Sequence, residues 1–285
     1  MFLSIVLQYR DITANISYQL VGRQNWGTGP TKRRTRSTVT IPHSFLSVGE
    51  ARDLLEYHWH EYTIKNLPGP ATTESSAKDY DMFRRWSLAL SRFVKARGKN
   101  LTAKEKRGLA ILQVQKLMLS LSLDVSTLDT DSDEMPWDNF CPVFQRIVDL
   151  AGAALDLPTD QYEDPAMSTR EPTFSVDMGL IGPLYDTACA CRDPKIRRQA
   201  VALLRAMSRQ EGLWDGILAS RVAARVIEIE EAGLDVQSCK DVPLIARLTG
   251  IVPTFDPDGR RAQIRYQKFD KELGEVCIVS DHVEW

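Results

Sequence analysis

The residues of this chain that could bind a metal or attack a bond are scattered. Five cysteines stand at Cys141, Cys189, Cys191, Cys239 and Cys277. An odd count at irregular spacing builds no disulfide framework and points to a reducing compartment. Cys189 and Cys191 are the one close pair, and at the end of an apolar helix they read as two small buried residues. His58 and His60 flank Trp59; a helix sets those imidazoles about 200° apart, on nearly opposite faces, where one ion cannot bridge them. His43 and His282 are isolated in sequence. No glycine-rich phosphate loop, nucleophile elbow or His-Glu-x-x-His helix occurs. The expectation is therefore no catalytic residue, no metal ligand, no cofactor and no enzyme.

Charge is patterned more tightly than nucleophiles are. From Arg192 to Arg209 there are six cations (Arg192, Lys195, Arg197, Arg198, Arg205 and Arg209) against one acid, Asp193. Downstream stand Glu228, Glu230 and Glu231. If the two segments form an antiparallel helical hairpin, Arg197 or Arg198 faces Glu228 or Glu231. The preferred reading is a set of ion pairs fixing hairpin register, about 0–1 kcal/mol for each exposed pair. The alternative is a basic patch for nucleic acid or an acidic partner.

The elements that must position these charges lie between Thr173 and Asp235. Asp193 can accept from the free amides at a helix start, and Pro194 suits the first helical position. Ile196, Ala200, Leu203, Leu204 and Met207 then fall at helical spacing. After Glu211-Gly212 a second stripe follows: Trp214, Ile217, Leu218, Val222, Val226 and Ile229. Asp215 would sit in the first turn, where the helix dipole favours a carboxylate. Gly233 would close the helix. Two such helices joined by a short polar loop pack antiparallel. In that arrangement Trp214 lies buried beside Leu203, Leu204 or Met207.

Here the chain resembles a known family. Cys191-Arg192-Asp193-Pro194, Ile196-Arg197-Arg198, Ala202-Leu203-Leu204-Arg205, Arg209-Gln210-Glu211-Gly212-Leu213-Trp214-Asp215 and Ile227-Glu228-Ile229-Glu230-Glu231 look like the C-terminal region of fungal binuclear zinc-cluster transcription factors. Ile41-Pro42-His43-Ser44-Phe45-Leu46-Ser47 with Glu50-Ala51-Arg52 resembles the start of that region. The resemblance runs from about Ile41 to Trp285. It implies transcriptional regulation in the nucleus, of a metabolic or secondary-metabolite pathway. These motifs are packing and charge motifs, so they mark a family more than a chemistry. The family's zinc cluster holds two zinc ions on six closely spaced cysteines beside a basic helix, and no such run exists here.

The rest of the chain agrees with a helical body. Ser47 and Glu50 have capping-box spacing, followed by Leu54, Leu55, His58, Trp59 and Tyr62. A helix from Asp79 to Arg97 should bury Met82, Phe83, Trp86, Leu90, Phe93 and Val94. Thr102 and Glu105 repeat the capping spacing and open a helix apolar around much of its girth through Leu109, Leu112, Leu117, Leu119 and Leu121. A helix near Asn139–Leu155 presents Phe140, Phe144, Ile147 and Val148. In the tail, Asp256-Pro257-Asp258-Gly259 is a turn signal, and Ala262, Ile264 and Tyr266 alternate with polar residues, as does 275–283 loosely. Trp59, Phe83, Trp86, Phe140, Phe144, Tyr185 and Trp214 read as core, with a pocket for a small effector as the alternative for some.

The resulting expectation is a mainly α protein, an irregular solenoid-like array of antiparallel helical hairpins with a small C-terminal β-hairpin or meander. Residues 1–40 form an N-terminal helix and basic linker, 41–240 the helical regulatory domain, and 241–285 the hairpin packed on it. Lys32, Arg33, Arg34 and Arg36 read as a solvated loop or a nuclear-import signal. The apolar start of the chain has no basic residues ahead of it, unlike a secretory signal, and no stretch approaches the ~20 apolar residues of a membrane span. The net charge of −2 gives no global pull on nucleic acid or membranes. Expected partners are a protein or a small effector, with homodimerisation open and DNA reached only through an upstream cysteine cluster, the one place zinc would bind. The location is the nucleus, with the cytoplasm as alternative. A stand-alone helical scaffold that binds partners is the second reading of function.

Overall fold

The computed structural model describes residues 40–65, 73–125, 134–157, 173–175, 179–207, 209–211, 214–255, 261–270 and 272–284. The N-terminal helix and basic linker expected over 1–40, most of the acidic loop before Glu134, the polar stretch after 157 and the Asp256–Gly259 turn lie outside the described residues, as do the side chains of Trp59, His60 and Trp214. The architecture is mainly helical, with seven α-helices among the described residues and a C-terminal three-stranded antiparallel sheet. The chain divides into two compact units, one within 3–101 and one from Thr102 to Trp285.

The first unit holds α1 (Val48–Lys65), α2 (Thr73–Arg97) and a short 3-10 turn, Gly98–Asn100. The Ser47 hydroxyl accepts from the Glu50 amide (3.1 Å), while the Glu50 carboxylate reaches one residue further back than a capping box would, to the Leu46 amide (2.6 Å). Trp86 is the hub of this unit. Its ring stacks on Phe83 (centroids 6.2 Å apart, 14° between planes) and leans against Phe45. Its indole N–H donates to the Ala51 carbonyl (2.9 Å), so the ring is buried with its one polar atom satisfied. Phe83, Leu90 and Phe93 are buried as the spacing required; Met82 and Val94 are half-buried.

The second unit begins with α3 (Ala103–Val125), opened by the Thr102/Glu105 capping box in both directions: Thr102 N–H to Glu105 at 2.9 Å and Glu105 N–H to the Thr102 hydroxyl at 3.3 Å. A 3-10 turn, Met135–Phe140, leads into α4 (Cys141–Leu155). It stands where the sequence pattern started the helix, and it places Trp137 in the core beside Phe144. Next come strand β1 (Thr173–Ser175), α5 (Ile181–Ala190), α6 (Pro194–Ala206), β2 (Arg209–Glu211), β3 (Trp214–Asp215) and α7 (Gly216–Glu230).

α6 and α7 are antiparallel. Arg198 near the start of α6 meets Glu231 just past the end of α7, and Gly216 at the start of α7 lies on the Met207 and Leu204 carbonyls at the end of α6. A Cβ on Gly216 would run into the Met207 carbonyl oxygen, which explains glycine there. The connection is not the simple polar loop expected. β2 pairs with β3 (Gln210↔Asp215, Glu211↔Trp214) and, in parallel, with β1. Glu211 is buried and its carboxylate accepts from the Ile181 amide at the start of α5 (2.8 Å), so this ribbon caps another helix. Asp215 is the N-cap of α7, accepting from the Leu218 amide (2.8 Å), one position earlier than the first turn. Gly233 is left-handed (φ 75°) just beyond the helix.

The tail forms β4 (Thr249–Phe255), β5 (Arg261–Asp270) and β6 (Glu275–Glu284) in sequential order, with β5 and β6 in register from Arg261↔Glu284 to Asp270↔Glu275. Ala262, Ile264, Tyr266 and Val283 are buried on one face, and the residues between them on β5 are exposed. Arg225 of α7 donates to Asp281 of β6 (2.7 Å), tying the meander to the helices.

Candidate functional site: a buried arginine and carboxylate network

The joint between α5 and α6 builds this site. Asp193 accepts from the Lys195 and Ile196 amides (3.0 and 3.1 Å), and Pro194 takes the first helical position. The sharp turn that results sends Arg192 and Arg197 inward, where both side chains are 0% exposed. Two fully buried guanidiniums need carboxylates.

Glu230 supplies the first. It ends α7 on the stripe of Val222 and Val226, four and eight residues on, and it is 0% exposed. Its Oε1 accepts from Arg192 Nη2 (2.9 Å) and from the Leu248 amide (2.9 Å); its Oε2 accepts from Arg197 Nη2 (2.7 Å). Glu134 supplies the second, accepting from Arg192 Nη1 at 2.9 Å. Arg192 Nη1 also donates to the Ala190 carbonyl, and Arg197 Nε to the Ala188 carbonyl, so the guanidiniums cap the C-terminal end of α5. Arg197 Nη1 and Arg198 both reach Glu231. Alongside, Arg247 makes a bidentate pair with Asp138 (2.9 and 2.8 Å) and donates to the Glu134, Val242 and Cys239 carbonyls.

Four arginines thus meet four carboxylates: Arg192, Arg197, Arg198 and Arg247 with Glu134, Asp138, Glu230 and Glu231. Burial alone would push the Glu230 carboxyl up. The Arg192 and Arg197 charges, with hydrogen bonds from Arg192 and Leu248, outweigh it and hold Glu230 below the usual carboxylate range. Burial would likewise lower Arg192; Glu230 and Glu134 outweigh that and raise it. The cluster is charge-balanced, and its guanidinium donors face carboxylates or backbone carbonyls save Arg192 Nε, which like Glu134 Oε1 is buried without a hydrogen-bond partner. It ties together the 3-10 turn before α4, the α5–α6 joint, the end of α7 and the segment leading into β4.

The sequence-predicted residues are divided by this geometry. Arg192 and Arg197 are withdrawn from the surface. Arg198 is 55% exposed and paired with Glu231. Lys195 and Arg205 are exposed, and the Arg209 side chain lies outside the described residues. Glu228 is exposed and pairs with Arg225 on its own helix (3.0 Å), while Glu230 takes the inward place between the arginines. Glu134, Asp138 and Arg247 had no local signal: Glu134 ended an acidic loop and Arg247 stood alone. Glu230 had one, since helical spacing from Val222 and Val226 lands on it.

Among the described residues no group of three or more histidines, cysteines or acids is arranged to hold a metal ion. No described helix is long and apolar enough to cross a membrane. One buried acid stands apart: Asp186 in α5 is pushed well above the usual carboxylate range by burial, and its Oδ1 has no hydrogen-bond partner.

No protein-family model matches the chain, and no solved structure does. Over 107 residues it is 35% identical to the aspercryptin biosynthesis cluster-specific transcription regulator of Emericella nidulans. The match covers 36% of this chain and 17% of that regulator. The chain is therefore partly homologous to a fungal cluster-specific transcription regulator.

Proposed function

We propose that this chain is the regulatory and interaction region of a fungal transcription-factor-like protein that acts in the nucleus, on genes of a secondary-metabolite pathway. The carrying observation is the 35% identity to a cluster-specific transcription regulator. The helical body over 41–240 receives a protein partner or a small effector, and the strands of 241–285 complete it. In this reading the chain performs no catalysis, since its densest charged cluster is neutralised internally. The 285 residues contain no run of six cysteines; DNA contact belongs to a zinc-cluster module encoded outside them.

The test is DNA binding by these residues alone and by a form extended with any in-frame upstream exon encoding six closely spaced cysteines. The short form should show only weak binding that collapses with salt, because phosphate contacts are lost steeply as salt rises. Sequence-selective binding by the short form at physiological salt would overturn the proposal. An extended form that binds no DNA would favour the scaffold reading instead.

A further inference from the structure

The C-terminal sheet has one guarded edge and one open edge. Its strand order is β4-β5-β6, so β4 and β6 are the edges, and among the described residues neither has a second strand beside it. β4 carries Pro253, which has no amide N–H to offer, and its register with β5 shifts between Thr249 and Val252. Both devices discourage a further strand. β6 has neither. Its ten residues run in register with β5 from Glu275 to Glu284, without proline, glycine or bulge. Between the acids Glu275 and Asp281 stand Val276-Cys277-Ile278-Val279-Ser280, with no charge. Val276 and Ile278 point to the outer face, 61% and 66% exposed. α7 lies on the opposite face, where Arg225 reaches Asp281 (2.7 Å). Along such an edge every second residue turns its amide and carbonyl outward, unpaired.

We propose that two copies of this chain pair β6 to β6, antiparallel about Cys277, into one continuous sheet. The strand is complementary to itself in that register. A two-fold axis through Cys277, perpendicular to the sheet, keeps outer face with outer face and makes the contact identical on both copies. Val276 then lies opposite Ile278 of the second copy, and Ile278 opposite its Val276, so the exposed apolar side chains cover one another. Glu275 lies opposite Val279, and no acid of β6 faces an acid. Other registers lose this. An axis at Ile278 sets Glu275 against Asp281, and an axis at Val279 sets Val276 against His282 and Ile278 against Ser280. A one-residue slip would set the outer face of one strand against the inner face of the other. The acids at Glu275 and Asp281 bound the apolar stretch, which confines pairing to its middle. The contact is short, so the dimer is weak and concentration-dependent rather than obligate.

The experiment is sedimentation velocity on the whole chain across a wide concentration range, with a thermal melt of each variant. The wild type should pass from monomer to dimer as concentration rises. Val276→Lys and Ile278→Lys each put a charge on the pairing edge and should leave only monomer, with the melting midpoint of dilute wild type unchanged because both side chains are exposed in the single chain. Leu244→Lys, at an exposed position outside the sheet, should dimerise as the wild type does. Pairing about Cys277 sets the two Cys277 residues directly opposite, with Cα atoms about 4.5–5.5 Å apart, within disulfide reach. Copper-phenanthroline oxidation should therefore give a covalent dimer that is lost in Cys277→Ser and kept in Cys239→Ser. A chain that stays monomeric at every concentration, a dimer that both lysine variants leave intact, a covalent dimer that survives Cys277→Ser, or association that runs past the dimer into open-ended fibres would each overturn the proposal.

Discussion

Replacing Glu230 by glutamine tests the buried network at its centre. The side chain keeps its shape, so packing is unchanged and the perturbation is electrostatic. In the native protein one carboxylate accepts from Arg192, Arg197 and the Leu248 amide. Glutamine offers one acceptor oxygen and one NH2, and the NH2 must face a donor whichever way the amide turns. Arg192 retains Glu134, and Arg197 retains Glu231 at a longer 3.4 Å. Two fully buried guanidiniums then share less compensating charge. Removing one partner of a buried pair costs about 3–5 kcal/mol, a large part of the roughly 5–15 kcal/mol that holds a domain folded. At about 2–4 °C per kcal/mol for a unit of this size, the midpoint should fall by roughly 6–20 °C. Thermal and urea melts followed by circular dichroism would measure it, with Arg198→Ala as reference; that half-exposed pair with Glu231 should be worth about 0–1 kcal/mol. A Glu230→Gln loss below about 1 kcal/mol, or one equal to that of Arg198→Ala, would refute the reasoning.

Three further outcomes follow from the geometry. Because the folded-state Glu230 carboxyl is held low, its contribution is present above the unfolded-state value of about 4.3 and is lost as pH falls below it. Wild-type stability should therefore drop more steeply on acidification than that of Glu230→Gln, as read from urea midpoints against pH. Asp186 has the opposite sign: its raised value means that folding stability is lost as pH rises above about 4. Asp186→Asn should raise the melting midpoint at pH 7.5, with the gain shrinking at pH 4. Gly216→Ala should destabilise by about 1–3 kcal/mol, since the new Cβ meets the Met207 carbonyl oxygen rather than a yielding side chain; an unchanged urea midpoint would mean that α6 and α7 are less closely packed.

Much of the helical body was legible because it rests on local rules. Asp193-Pro194 and Thr102/Glu105 are helix starts written in two or four residues, and both hold in the structure. The tail's alternation at Ala262, Ile264 and Tyr266 likewise named its buried face. What escaped is non-local. Glu211 looked like a polar loop residue, yet it is buried as the acceptor for the Ile181 amide thirty positions earlier. Arg197 read as one half of an exposed pair with Glu228 or Glu231, and Arg192 only as one cation of its run; the burial of both depends on carboxylates that arrive from 134, 230 and 231. Spacing alone does place Glu230 on the stripe of Val222 and Val226.

The most direct test of the account is a tethered reporter. The chain is fused to a heterologous DNA-binding domain in a fungal host, with Glu230→Gln and Arg198→Ala versions matched for fusion abundance. The account predicts that the wild-type fusion changes transcription of a reporter carrying the heterologous site, that Arg198→Ala does the same, and that Glu230→Gln loses the effect in step with its lost stability. A wild-type fusion that is abundant, folded and nuclear, yet leaves the reporter unchanged across growth conditions that alter secondary metabolism, would contradict it.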